Sequence, residues 1–216
     1  MKFDCIIFDI DGTLGDTLYY CIEAFHITLD EINHRTYSDE EITQYFGTAE
    51  EGILKHLVSP ELYPQALKTY YRVYEDLQKK YIQLFPAVRP MLNKIHQAGL
   101  TLAVVTGKGP TTAEIALRDF DLLAYFDSVE YGSMQKKSKL ASLKRTLDTL
   151  QCLPDRTVYI GDTKQDMLDA QACGMWGAGA AWSSTATLKQ EDWNGRVKVF
   201  TTIQSLEDWL LTNHGD

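Results

Sequence analysis

Three short apolar runs limit what this chain can fold into. Cys5-Ile6-Ile7-Phe8, Leu102-Ala103-Val104-Val105 and Val158-Tyr159-Ile160 are each continuous, and each stops abruptly, at Asp9-Ile10-Asp11-Gly12-Thr13, at Thr106-Gly107 and at Gly161-Asp162. A strand with one wet face alternates apolar and polar residues, whereas a strand without alternation is buried on both faces. Helical spacing follows the second and third runs, over 111–119 and 164–172. Strand-then-helix alternation predicts a parallel sheet with helices on its faces, an α/β fold.

The pattern changes between the first and second runs. Leu18, Ile22, Phe25, Leu29 and Ile32 recur at helical intervals, and Ser38/Glu41 and Thr48/Glu51 have the spacing of capping boxes. Leu62, Tyr70, Val73, Leu77, Tyr81 and Leu84 predict a long amphipathic helix starting near Pro60. An insert this long exceeds a single crossover. It predicts an all-α second domain over 17–85, leaving the sheet's carboxyl edge through hinges near Gly15-Asp16-Thr17 and Phe85-Pro86, with 1–16 and 86–216 forming the sheet domain. Tyr63, Tyr70, Tyr71, Tyr74 and Tyr81 read better as the core of that insert than as a partner surface. After Pro90 a helix over 91–98 is stopped by Gly99; 128–131 and 197–200 read as short strands, 140–150 and 206–211 as helices.

Composition narrows the partners. Hydrophobic residues make up 44% of 216, enough for a sizeable core, and the net charge is -9. Such a chain is repelled by a phosphate backbone, so nucleic acid is not an expected partner. No apolar run approaches the roughly 20 residues that span a bilayer, and the acidic start Met1-Lys2-Phe3-Asp4 does not resemble a secretory signal. Cys5, Cys21, Cys152 and Cys173 are scattered, as expected of reduced thiols in a cytoplasmic protein. The oligomeric state has no signature in the sequence.

In an open parallel sheet, ligands bind beyond the carboxyl ends of the strands. Asp9, Asp11, Thr106 and Asp162 all stand there. Residues two apart in extended chain point the same way, so Asp9 and Asp11 are expected to face one pocket with Ile10 turned inward. Carboxylates that close repel one another, and a divalent cation compensates them. Asp162 and Asp166 add further hard oxygen donors, a set that suits magnesium and four acidic side chains sharing one ion. Any single strand-end Asp is as readily a helix cap; the set at two strand ends points to a site. Gly12-Thr13 and Thr106-Gly107-Lys108 can present amides and charge to an anion, and Lys136-Lys137-Ser138-Lys139 offers a lysine to the same pocket.

Taken together, Asp9-Ile10-Asp11-Gly12-Thr13-Leu14, Thr106-Gly107-Lys108, a later lysine and Gly161-Asp162-Thr163-Lys164-Gln165-Asp166 resemble the haloacid dehalogenase superfamily, in its phosphoglycolate phosphatase-like and β-phosphoglucomutase-like branch. The resemblance implies a Rossmann-like core with a helical cap inserted after the first motif. It implies a magnesium-dependent phosphatase acting on a small phosphorylated metabolite. Asp9 matches the nucleophile that forms an aspartyl-phosphate. Asp11 matches the general acid/base. Thr106 and Gly107 match phosphate binders. Asp162, with Asp9 and the Asp11 carbonyl, matches a magnesium ligand, and Asp166 a further ligand or its supporting partner.

The chain departs from the family pattern in places. It lacks the Lys-Pro pair that many relatives have; Lys139 is the favoured phosphate lysine, with Lys137 the alternative by its distance to Asp162. Thr17 stands where many relatives have Ser. A sugar phosphomutase of the same branch remains open, as does a phospho-Asp signalling module without turnover. Dehalogenation is disfavoured, since an alkyl halide needs neither the second acid nor the metal. Lys55 and His56 are cap residues that either touch substrate or face solvent.

Overall fold

The computed structural model of the protein describes residues 3–135 and 138–212. Strand β1 (Cys5–Phe8) lies inside a six-stranded sheet, hydrogen-bonded to β2 (Thr101–Val105) on one side and β4 (Thr157–Gly161) on the other. With β3 (Ser128–Glu130), β5 (Trp176–Ala180) and β6 (Val197–Phe200) the order is β3-β2-β1-β4-β5-β6, and every pairing is parallel. Phe8 stands opposite both Val104 and Ile160, so β1, β2 and β4 reach their carboxyl ends at one level.

The missing alternation in β1 has its explanation in two separate cores. Ile6 and Phe8 pack on one face among residues of α5 (Val88–Gln97), α6 (Pro110–Asp119) and α9 (Ile203–Leu211). Cys5 and Ile7 pack on the other, with Leu143 and Leu147 of α7 (Leu140–Leu150) and Ala170 of α8 (Lys164–Ala172). Helix α5 begins three residues before the predicted start. Pro90 falls within its first turn, where the missing N–H has no intrahelical partner to lose. Gly99 follows at φ +75°, the left-handed turn that ends the helix.

Strand β5, Trp176-Gly177-Ala178-Gly179-Ala180, carries no sequence signal, because Gly and Ala are poor strand formers. Close packing selects them here. A Cβ on Gly177 would lie 3.1 Å from the Met167 sulfur, and one on Gly179 would lie 3.0 Å from Leu188.

Residues between β1 and α5 form α1 (Leu18–Asn33), α2 (Asp39–Thr43), α3 (Glu50–Leu57) and α4 (Tyr63–Tyr81). They surround their own apolar cluster, which includes Tyr20, Phe25, Leu29, Tyr70 and Tyr74 and meets the sheet unit at Ile115 of α6. Tyr63, Tyr71 and Tyr81 pack against it, half-buried. The Ser38/Glu41 capping box forms: the Glu41 N–H donates to Ser38 Oγ at 3.2 Å and the Ser38 N–H to Glu41 Oε2 at 2.9 Å. The expected Thr48/Glu51 box does not. Thr48 donates its hydroxyl to the Tyr45 carbonyl at 2.9 Å, Ala49 precedes the helix, and Glu51 instead accepts from the Tyr71 hydroxyl. Helix α4 starts at Tyr63, with Pro64 in its first turn.

The two chain crossings into this insert pair with each other. The Asp16 N–H donates to the Gln83 carbonyl at 2.8 Å and the Phe85 N–H to the Leu14 carbonyl at 3.1 Å, with Gly15 opposite Leu84 in an antiparallel bridge. No described helix is long and apolar enough to cross a membrane. All four cysteines are free; Cys5 and Cys21 are buried, Cys152 and Cys173 half-buried.

Leu29 is fully buried in the helical cluster. Leu29→Ala is expected to lower the unfolding free energy by about 2–5 kcal/mol, read from urea denaturation.

Candidate active site

A cavity of roughly 510 Å³ lies between the carboxyl edge of the sheet and the helical insert. Its floor comes from the loops after β1 and β4. One oxygen each from Asp9, Asp162 and Asp166 lies within 4.8 Å of the others. Asp9 follows β1 directly, and Asp162 follows β4. Asp166 occupies the third position of α8, where it completes a capping box with Thr163: its Oδ2 accepts from the Thr163 amide at 3.1 Å and hydroxyl at 2.6 Å. Gly161 is the required neighbour, since a Cβ there would sit 2.6 Å from the Asp166 carboxyl carbon.

Lys139, the residue before α7, reaches into this group. Its ammonium donates to Asp9 Oδ2 and, at 2.9 Å, to Asp166 Oδ1. Lys137 lies outside the described residues. Asp169 secures the segment that carries Lys139: its carboxylate accepts from the Lys139 amide at 2.7 Å, the Ser138 hydroxyl at 3.0 Å and Gln165 Nε2 at 2.8 Å. Sequence reading missed Asp169. Its signal was the spacing, one helical turn beyond Asp166 and so on the same face.

Asp11 also lines the cavity, yet its side chain stands apart from the trio. It accepts from the Thr17 hydroxyl and from Lys108 Nζ at 3.2 Å. The structure thus gathers three of the four expected carboxylates and gives the fourth its own cation. Lys108 is buried, 3.2 Å from Cys21 Sγ and 3.7 Å from Glu50 Oε1, with its ammonium over the Tyr74 ring. Glu50, the first residue of α3, also accepts from the Gly109 amide and the Thr112 hydroxyl, each at 2.6 Å. Sequence reading missed this link, because Glu50 belongs to the insert and its partners to the loop after β2 and the first turn of α6. Thr106 is buried, and its hydroxyl accepts from the Lys108 amide at 3.2 Å; Gly107, not Thr106, lines the cavity. Lys55 is exposed and His56 stacks on Tyr45, with neither lining the cavity.

The electrostatics follow from burial. Burial pushes the Asp9 carboxyl up to about 6 against the pull of Lys139. Burial, then the charges of Asp9 and Asp166, pushes Asp162 up to about 8. Burial acts on Asp166 too, but Lys139 and the Thr163 hydrogen bonds hold it below the usual range. Lys139 is held well above its ordinary value: burial opposes its charge, and Asp166 and Asp9 outweigh burial. Three carboxyls stand around one ammonium: Lys139 pairs with Asp9 and Asp166, and Asp162 is the one whose charge burial and its neighbours oppose most. Oxygen donors this close suit a hard divalent cation.

The chain matches the haloacid dehalogenase-like hydrolase family over residues 6–180. It is 26% identical to the pyrophosphatase PpaX of Anoxybacillus flavithermus, over 85% of this chain and 86% of that protein. It is 26% identical to the phosphoglycolate phosphatase of Aquifex aeolicus, over 82% of this chain and 84% of that one. The fold is shared with a haloacid dehalogenase-like family hydrolase from Streptococcus pneumoniae, at a TM-score of 0.73 and 24% identity, covering 96% and 99% of the two chains.

Glu50→Ala removes an acceptor from three buried donors at once. It is expected to cost about 3–5 kcal/mol of stability in urea denaturation. Glu50→Gln, which keeps hydrogen-bonding capacity, is expected to cost less.

Proposed function

Because the chain belongs to the haloacid dehalogenase-like hydrolase family and is an enzyme of its phosphatase type, we propose that it hydrolyses a small phosphate monoester, with magnesium, through an aspartyl-phosphate on Asp9. One observation carries this reading: two carboxylates two residues apart stand in different electrostatic settings. Asp9 lies with Asp162, Asp166 and Lys139, and Asp11 lies apart with Lys108 and Thr17. Double displacement needs that division of labour.

In the first half-reaction the Asp9 carboxylate attacks phosphorus, and the bond to the leaving alcohol oxygen breaks. Asp11 gives its proton to that oxygen, and the alcohol departs. In the second half Asp11 takes a proton from water as the water attacks the phosphorus of the aspartyl-phosphate. Inorganic phosphate leaves and Asp9 is restored. Lys139 offers positive charge to the transferring group, and the Gly107 amide offers a hydrogen bond. Thr106 acts in this reading by shaping the Gly107 turn. Asp9, Asp162 and Asp166 would hold the magnesium ion, which when bound neutralises charge developing on the phosphoryl oxygens. Residues 17–85 act as the cap, with the paired crossings at Gly15 and Leu84 as the hinge.

Asp9→Asn is expected to reduce phosphate release from p-nitrophenyl phosphate by at least about 1,000-fold. Chelation is expected to abolish turnover, and added magnesium to restore it. Turnover that survives in Asp9→Asn would end this account. Stable phosphorylation of the wild-type chain without turnover would favour a signalling role instead.

A further inference from the structure

The cavity has two chemically different ends. The floor carries the acidic trio and Lys139. The wall supplied by the insert is made largely of Leu18, Phe25, Phe46, Ile53 and Tyr70, with Thr48 beside them. The rings of Phe25 and Tyr70 lie 4.4 Å apart between centroids and those of Phe25 and Phe46 6.3 Å apart, so half-buried Phe46 is the exposed end of a packed aromatic cluster. Tyr70 adds a buried hydroxyl with no hydrogen-bond partner among the described residues.

A substrate with a second anionic group would need a free cation on that wall. Among the described residues, the cations lining the cavity are Lys108 and Lys139, and both are already paired. Lys139 lies between Asp9 and Asp166, and Lys108 between Asp11 and Glu50. A carboxylate or second phosphate brought against this wall would lose its water and meet no free counter-charge among the described residues.

We propose that the leaving alcohol of the substrate is uncharged and largely apolar, with an aromatic ring as the group that best fits the wall of Leu18 and Phe46. Such a ring finds an edge or face partner in half-buried Phe46, with Phe25 packed behind it. The inference rests on the phosphomonoesterase reading and narrows it to esters carrying a single anionic group.

The test compares kcat/KM of the intact chain, with magnesium, for benzyl phosphate, phosphoglycolate and pyrophosphate. Benzyl phosphate and phosphoglycolate both release an alkyl alcohol, so their ratio reports recognition more than leaving-group chemistry. Benzyl phosphate is expected to be favoured over phosphoglycolate by about 10-fold or more. Thr48→Arg, which adds a cation at a half-buried wall position, is expected to shift that ratio toward phosphoglycolate by a similar factor. Phe46→Ala is expected to lower turnover of benzyl phosphate and spare that of phosphoglycolate. Phosphoglycolate or pyrophosphate turned over as efficiently as benzyl phosphate would overturn the inference and leave the phosphatase reading intact. A folded chain inert toward all three compounds and toward p-nitrophenyl phosphate would sink both.

Discussion

Repulsion among buried carboxylates is the constraint that organises this molecule. Three acids crowd together at the ends of two adjacent strands, where burial alone already disfavours their charge. They can be held there only because the surrounding fold supplies compensation from several directions. Lys139 arrives from the start of α7, and the Thr163 amide and hydroxyl from the turn after β4. The register of β1 and β4 promotes the crowding, since it ends the two strands together, with Asp9 following Phe8 and Asp162 standing two residues beyond its partner Ile160. Asp169 fixes the lysine segment from the next turn of α8.

A second buried charge group ties the two halves of the chain together. Lys108 comes from the loop after β2 and Glu50 from the insert, and between them they engage Asp11, Cys21, Gly109 and Thr112. Such a network is weak evidence for stability but strong evidence for register, because each partner left alone would be a buried unpaired group. It specifies where α3 sits over the loop after β2, and so fixes the shape of the cavity between them.

Much of this was legible in the sequence, and the exceptions have physical reasons. β1, β2 and β4 were readable because strands buried on both faces leave unbroken apolar runs. β5 was not, because its glycines answer to the Met167 and Leu188 side chains packed on them and not to strand propensity. The Ser38 box formed as its spacing predicted; Thr48 had the same spacing and bonded backward to Tyr45, since Glu51 was drawn to Tyr71. Alternation placed Asp9 and Asp11 in one cavity with Ile10 in the core, as expected. It could not show that Asp11 would turn to Lys108, because that cation lies 97 residues away along the chain. Long-range pairs between charged groups leave no periodic trace, so Lys139 could be narrowed to a short run but Glu50 could not be found at all.

The paired crossings between Leu14–Asp16 and Gln83–Phe85 have a mechanical meaning. A body tethered by one flexible strand can swivel, slide and twist. One joined through two hydrogen-bonded strands keeps mainly a single soft direction, the bend across the ribbon, because twisting or sliding would break the bonds between them. Any excursion of the helices over the sheet would thereby be confined to something like the swing of a door, returning the same wall over the same acids.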